Sequence, residues 1–275
     1  AFLAMDLESL ERPDLARRLV AAYVAAADDP DVPRLLPFYA CELASVRGMV
    51  EGLKSADTEV EPVDREAAAA RARRHFALAV RYAWRTDGPA VIACTGLSGT
   101  GKSTLAAELA RTTGFALIGT DTLRKQRAGL APGTPAGAAY DAGLYTEEAR
   151  AATYAALVAG VESALEAGRG VVADATFIRR VDRDRLARAA RRERRPWVFV
   201  ACRADDEVVR ARLAAREAGR SVSDARWETY VAQRERCEPF GADEQHLVVD
   251  TGGAPAAARA AALRALWRWR RGRTG

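Results

Sequence analysis

Residues 96–104 spell GLSGTGKST, in which Gly96, Ser98, Gly99, Thr100, Gly101, Lys102, Ser103 and Thr104 meet the spacing GxxxxGK[ST]. Glycines let the backbone turn tightly, so that successive N–H groups face one concavity, and a lysine and a hydroxyl follow where a helix begins. Such a concavity takes phosphate. The helix N-terminus adds positive potential, Lys102 bridges the β- and γ-phosphates of ATP, and Ser103 ligates Mg²⁺. An apolar run precedes the motif, and Leu105 and Leu109 follow at helical spacing, which is the strand, turn and helix context the motif requires. ATP and Mg²⁺ are therefore the expected cofactors; an ordinary glycine-rich turn is the bland alternative.

Nucleotide binding alone fixes no activity, because switches, motors and kinases share this loop. The next apolar run, FALIGTDTLRK, ends in Asp121 with Arg124 three residues on. At the carboxyl edge of a sheet, a carboxylate can accept the proton of an acceptor hydroxyl, and an arginine one turn later can hold the acceptor or its phosphate. Helix N-capping is the other use of Asp121. The run GVVADATF brings Asp174 and Thr176 to the same edge. Asp174 there holds Mg²⁺ through water, orients Arg124, or only caps the strand. Arg212 and Arg216, four apart, share a helix face directed at phosphates or at solvent. Residues 127–145, with Tyr140 and Tyr145, read as an acceptor-binding segment or a disordered insert. Thr251-Gly252-Gly253 is a base-binding turn or a plain loop.

These residues need a sheet to present them. From about residue 88 the sequence alternates short apolar runs with helical stretches, the pattern of a doubly wound α/β domain with a mostly parallel sheet. Five runs qualify as strands: 90–95, 115–119, 170–173, 197–202 and 246–249. Residues 1–84 carry no strand signal and read as helices, with Leu15, Leu19, Ala22 and Tyr23 on one stripe and Phe76, Val80, Ala83 and Trp84 on another. Asp64 is placed to N-cap the second of these stretches. Thr86-Asp87-Gly88-Pro89 breaks the pattern, so the expected division is a helical segment, 1–84, and an α/β domain, 85–275. Residues 185–195 form a basic helix without interleaved aromatics, a solvated crossover or a polynucleotide track. Leu263, Leu266 and Trp267 dock a final helix, unless Trp267 and Trp269 stack bases.

Composition removes other classes. The four cysteines, 41, 94, 202 and 237, form no CxxC pair, and His75 and His246 are far apart, so a zinc site lacks ligands. No apolar run approaches the roughly 20 residues of a membrane span, and the expected setting is cytoplasmic with reduced thiols. A net charge of +5, from 42 basic against 37 acidic residues, suits phosphate-bearing ligands but falls short of a nucleic-acid signature. All but Lys54, Lys102 and Lys125 of the basic residues are arginine, so arginine clusters count for little by themselves. The opening AFLAMDLESL reads as the middle of a structured segment, the expectation for a piece of a longer chain.

With GxxGxGKST at Gly96–Thr104 and DxxR at Asp121–Arg124, the α/β part resembles the P-loop kinases that include polynucleotide 5′-kinases, zeta-toxin-type kinases and gluconate-type small-molecule kinases. The resemblance implies that Asp121 is the general base and that Arg124 contacts the acceptor. It also implies a helical lid whose arginines close on the phosphates, matched by Arg212, Arg216 and Ser223-Asp224-Ala225. The segments AFLAMDLESLERPDLARRLVAAYV and LLPFYACELASVRGMVEGLKS are similar to the last helices of an aminoglycoside-phosphotransferase-like domain, fused ahead of such a kinase in one bacterial group. That likeness implies a missing N-terminal domain in cis and carries no site residue. The expected activity is transfer of the γ-phosphoryl group of ATP to a small-molecule hydroxyl; a polynucleotide 5′-hydroxyl, a nucleotide sugar, or no acceptor at all, as in an ATPase or switch, are the rivals.

Overall fold

A computed structural model describes residues 1–127, 129, 147–218 and 227–272, with the side chains of 147 and 216–218 outside the description. The chain divides into two compact units, one of Ala1–Gly88 with Thr112–Gly114, the other of Pro89–Arg111 with Phe115–Gly275.

The first unit contains α1 (Phe2–Ser9), α2 (Pro13–Ala27), α3 (Val32–Ala56) and α4 (Pro62–Thr86). Prolines in the first turns of α2, α3 and α4 start these helices where their missing N–H costs nothing. Glu61, not Asp64, occupies the N-cap position of α4, and Asp64 sits in its first turn. Small residues spaced four apart on α3, Ala40, Ala44 and Gly48, let α4 approach closely, and Met5, Leu78, Ala79 and Tyr82 fill the core. The buried face of α4 is thus His75, Leu78, Ala79 and Tyr82, with Trp84. Phe76, expected to face inward, is 44% exposed and lays its ring over Gly48, where a Cβ would come within 2.9 Å. Tyr23 is likewise exposed.

The second unit holds β1 (Val91–Thr95), α5 (Lys102–Thr113), β2 (Ala116–Gly119), α6 (Thr120–Arg127), α7 (Glu147–Glu166), β3 (Val171–Asp174), α8 (Arg180–Arg192), β4 (Trp197–Arg203), α9 (Asp206–Ala218), α10 (Trp227–Glu235), β5 (His246–Asp250) and α11 (Pro255–Arg271). The five strands fall within a residue of the expected runs and form an all-parallel sheet ordered β2-β3-β1-β4-β5. The central strand β1 is buried throughout, as its continuous apolar sequence requires in a sheet covered on both faces. Tyr154, Leu157, Val161 and Leu165 of α7 pack with Phe177, Leu186 and Phe199 over the sheet. Leu266 is fully buried, in keeping with a docked α11.

Candidate active site

Strand order and register decide which side chains meet. Gly119 of β2, Asp174 of β3 and Cys94 of β1 stand in one row across the sheet. Asp121 lies two residues past that row on one chain segment, and Gly96 two residues past it on another. One carboxyl edge therefore gathers the loop after β1, the end of β3 and the start of α6, the crevice where ligands of open α/β sheets bind.

The 96–101 loop is a preformed anion cradle. Gly96, Gly99 and Gly101 have φ of +152°, +83° and +89°, values that side chains rarely adopt. Added Cβ atoms would also collide, at Gly96 with the Cys202 carbonyl (2.9 Å) and at Gly99 with Val209 (2.8 Å). The loop is tied from both sides. Thr100 Oγ1 donates to Leu97 O (2.8 Å), and the Thr251 hydroxyl, at the end of β5, lies 2.5 Å from Thr100 O and 2.8 Å from Arg203 O. Lys102 and Ser103 open α5, where the unpaired N–H groups of a first turn favour negative charge.

Two orphaned groups flank the cradle. Arg212 of α9 donates through Nη2 to the carbonyls of Thr251 (2.7 Å) and Gly252 (3.1 Å), while its Nη1 is buried without a partner among the described residues, 3.3 Å from where a Cβ on Gly101 would stand. A buried, unpartnered guanidinium nitrogen is costly unless an anion reaches it. Asp174 Oδ1 is also buried with no hydrogen bond to a described residue. Together with the exposed Ser103 hydroxyl, it fits a Mg²⁺ held chiefly by phosphate oxygens and water, the habit of an ion that keeps few protein ligands. Among the described residues no cluster of three or more His, Cys, Asp or Glu could hold a metal.

Beside Gly101, a pocket of about 260 Å³ is lined by Thr104, Leu105, Arg212, Thr251, Gly253 and Pro255 among others, room for part of a ligand rather than a whole nucleotide. Thr251-Gly252-Gly253 therefore has a double use: it anchors the loop and it walls this pocket.

At the acceptor side, Asp121 is the second residue of α6 rather than the residue before it, so its carboxylate is not the N-cap. It is 54% exposed and flanked by Arg124 Nη1 at 3.5 Å and Lys125 Nζ at 3.2 Å. Lys125, only 5% exposed, was not singled out from the sequence; its i, i+4 spacing from Asp121 was the available signal. Thr176 is drawn into the scaffold: its carbonyl accepts from Thr95 Oγ1 (2.7 Å) and its hydroxyl pairs with Tyr154 OH (3.2 Å), which also accepts from Phe177 N–H. Of the remaining candidates, Tyr140, Tyr145, Ser223, Asp224, Ala225 and the Arg216 side chain lie outside the described residues.

The basic helix α8 is more than a solvated face. It exposes Arg185, Arg188, Arg191 and Arg192 but buries Asp182 and Arg183. Arg183 grips Glu244 at 2.6 and 3.0 Å and the carbonyls of Phe177, Glu238 and Pro239 near 3 Å, fixing the segment that leads into β5. Burial, the largest single influence, would raise the Glu244 carboxyl, yet Arg183, the Gly241 N–H and Arg180 together hold it below the usual range. Burial also pushes the Cys202 thiol up to about 12 and the Cys94 thiol well above its ordinary value, so both thiols stay protonated and are no nucleophiles. His246 stacks on Phe240, and no described helix is long and apolar enough to cross a membrane.

A family profile described as an AAA domain matches residues 91–240. Uncharacterized proteins of Mycobacterium tuberculosis and Mycobacterium bovis are each 32% identical over 237 residues, 86% of this chain and 46% of theirs. The chain thus spans about half the length of the curated relatives it matches. A gluconokinase structure from Sinorhizobium meliloti aligns with a TM-score of 0.51 at 23% identity, covering 67% of this chain and 95% of that one, and shares the fold.

Proposed function

The chain belongs to the AAA domain family, and from that premise we propose that it is a kinase moving the γ-phosphoryl group of ATP to a hydroxyl of a small-molecule acceptor. One observation carries this reading. An exposed carboxylate, Asp121, stands beside two cations in the first turn of α6, just past the strand next to that of Asp174, whose own strand adjoins the one that leads into the phosphate loop. A carboxylate at that edge with cations beside it suits a bound acceptor: it can take the hydroxyl proton while the cations hold the rest of the molecule.

The roles follow from position. Loop amides and Lys102 hold the β- and γ-phosphates, and Arg212 offsets the charge that develops during transfer. Asp121 orients the acceptor hydroxyl and takes its proton, while Arg124 and Lys125 hold the acceptor. Ser103 and Asp174 would hold Mg²⁺, which supplies charge neutralisation at phosphate oxygens when bound. Tyr140, Tyr145 and Arg216 keep the roles expected of them in acceptor binding and lid closure. The gluconokinase likeness, a small-molecule kinase of the same fold, is in keeping with this acceptor class.

The test is γ-³²P transfer from Mg-ATP into sugars, nucleosides, aminoglycosides and 5′-hydroxyl oligonucleotides, beside Asp121→Asn. Label in one small-molecule class, lost in the variant, is the expected result. Label in oligonucleotides alone moves the assignment to a polynucleotide kinase, and label appearing only as free phosphate, indifferent to Asp121→Asn, overturns the kinase reading.

A further inference from the structure

Gln233 of α10 accepts a hydrogen bond through Oε1 from the Ser98 backbone N–H at 2.9 Å, joining the phosphate loop to a helix 135 residues further along the chain. The contact fixes a peptide plane that matters. The carbonyl of that same peptide, Leu97 O, already accepts from Thr100 N–H (3.3 Å) and Thr100 Oγ1 (2.8 Å). With both of its polar ends held, the 97–98 peptide cannot turn its carbonyl into the anion cradle without breaking three hydrogen bonds. The Gln233 amide NH₂ meets no described hydrogen-bond partner and sits on a half-buried side chain.

The helix that carries Gln233 is itself anchored. Tyr230 OH and Arg234 Nη1 both donate to Asp206 at the start of α9, at 2.7 and 2.6 Å, and Trp227 stacks on Tyr230. Val209, Leu213 and Tyr230 form a cluster against which Leu97 of the loop packs. A rigid support of this kind holds an amide at a set place beside Ser98.

Which end of a bound nucleotide lies there follows from the pocket, which touches the opposite end of the loop, Gly101 and Thr104. A base seated there runs its phosphates across the N-terminus of α5 and delivers the terminal one toward Leu97–Gly99. Resting on the nucleotide reading above, we propose that Gln233 senses the terminal phosphate: Oε1 holds the Ser98 peptide in register while Nε2 donates to a γ-phosphate oxygen, so that triphosphate is bound in preference to diphosphate.

The experiment measures calorimetric binding of the Mg²⁺ complexes of ADP and of the β,γ-imido analogue of ATP to the whole chain and to two variants. Gln233→Leu should weaken the triphosphate analogue about ten-fold and ADP by less than about two-fold, the loss of one hydrogen bond to a charged group. Gln233→Glu keeps an oxygen for the Ser98 N–H but sets a negative charge against the terminal phosphate, so it should weaken the analogue more than the leucine does and again spare ADP. Equal losses for both nucleotides, or none for either, would overturn the assignment. Unfolding curves of both variants are recorded first, and the glutamate variant, which keeps the loop contact, decides the matter if leucine disturbs the fold. A wild-type chain that binds neither nucleotide overturns the nucleotide reading itself, before any variant is consulted.

Discussion

The two halves of the carboxyl edge are built on opposite plans. On the nucleotide half, β1 and β4 are buried, the loop is held by Thr251, Gln233 and its own turn, and small changes meet backbone at under 3 Å. On the acceptor half, β2 is the edge strand and only partly buried, and Asp121 is steadied by charges on its own helix. One half is specified by long-range packing and has a single solution; the other is specified by local spacing and stays open. The proposed kinase, with a fixed cofactor and an acceptor of its own, calls for that division.

Lys102→Ala should fall hardest, because it removes the only lysine of the cradle: transfer drops roughly 10⁴-fold, and nucleotide affinity drops with it. Asp121→Asn should cost transfer about 10³-fold while leaving ATP affinity unchanged, since it removes the proton acceptor alone. Single-turnover rates beside binding isotherms separate the two, and a loss of ATP affinity in Asp121→Asn would collapse the distinction between the halves. Thr251→Val strips a hydroxyl that serves two carbonyls on the nucleotide half and should cost about 1 kcal/mol in a denaturant titration. The smallest effect concerns pH. Tyr230 and Arg234 hold the Asp206 carboxyl below its ordinary 3.8. A depressed carboxyl gives support that is complete above the unfolded value and fades as pH falls through the folded one. The α9–α10 junction should loosen only in acid below 3.8, visible as a change in tryptophan emission that Asp206→Asn shifts to neutral pH.

The strands and the phosphate loop were legible because both rest on local signals: continuous apolar runs and glycines in a fixed pattern. The face of α4 was only partly legible: Trp84 of the expected stripe is fully buried, but Phe76 is exposed, and the buried face turns instead through Ala68, Ala72, His75, Leu78, Ala79 and Tyr82, where small alanines give hydrophobicity little contrast. Arg183 was hidden for the converse reason. In a chain so rich in arginine, only three-dimensional carbonyl traps distinguish a buried guanidinium from its solvated neighbours. Gln233 and Thr251 were invisible as loop anchors because their partners lie 135 and 151 residues away and no spacing rule connects them.

Because the sheet runs β2-β3-β1-β4-β5, both β3 and β4 must part from β1 before it loses its hydrogen-bonded flanks, whereas β2, an edge strand, is released by parting from β3 alone. Partial opening of this domain from the β2 side therefore dismantles the proposed place of the acceptor first and leaves standing the loop proposed to grip nucleotide. Under heat or mild denaturant, the protein would pass through a form that holds ATP without a base to direct it, and occupancy of the loop by nucleotide would protect the sheet from its centre outward.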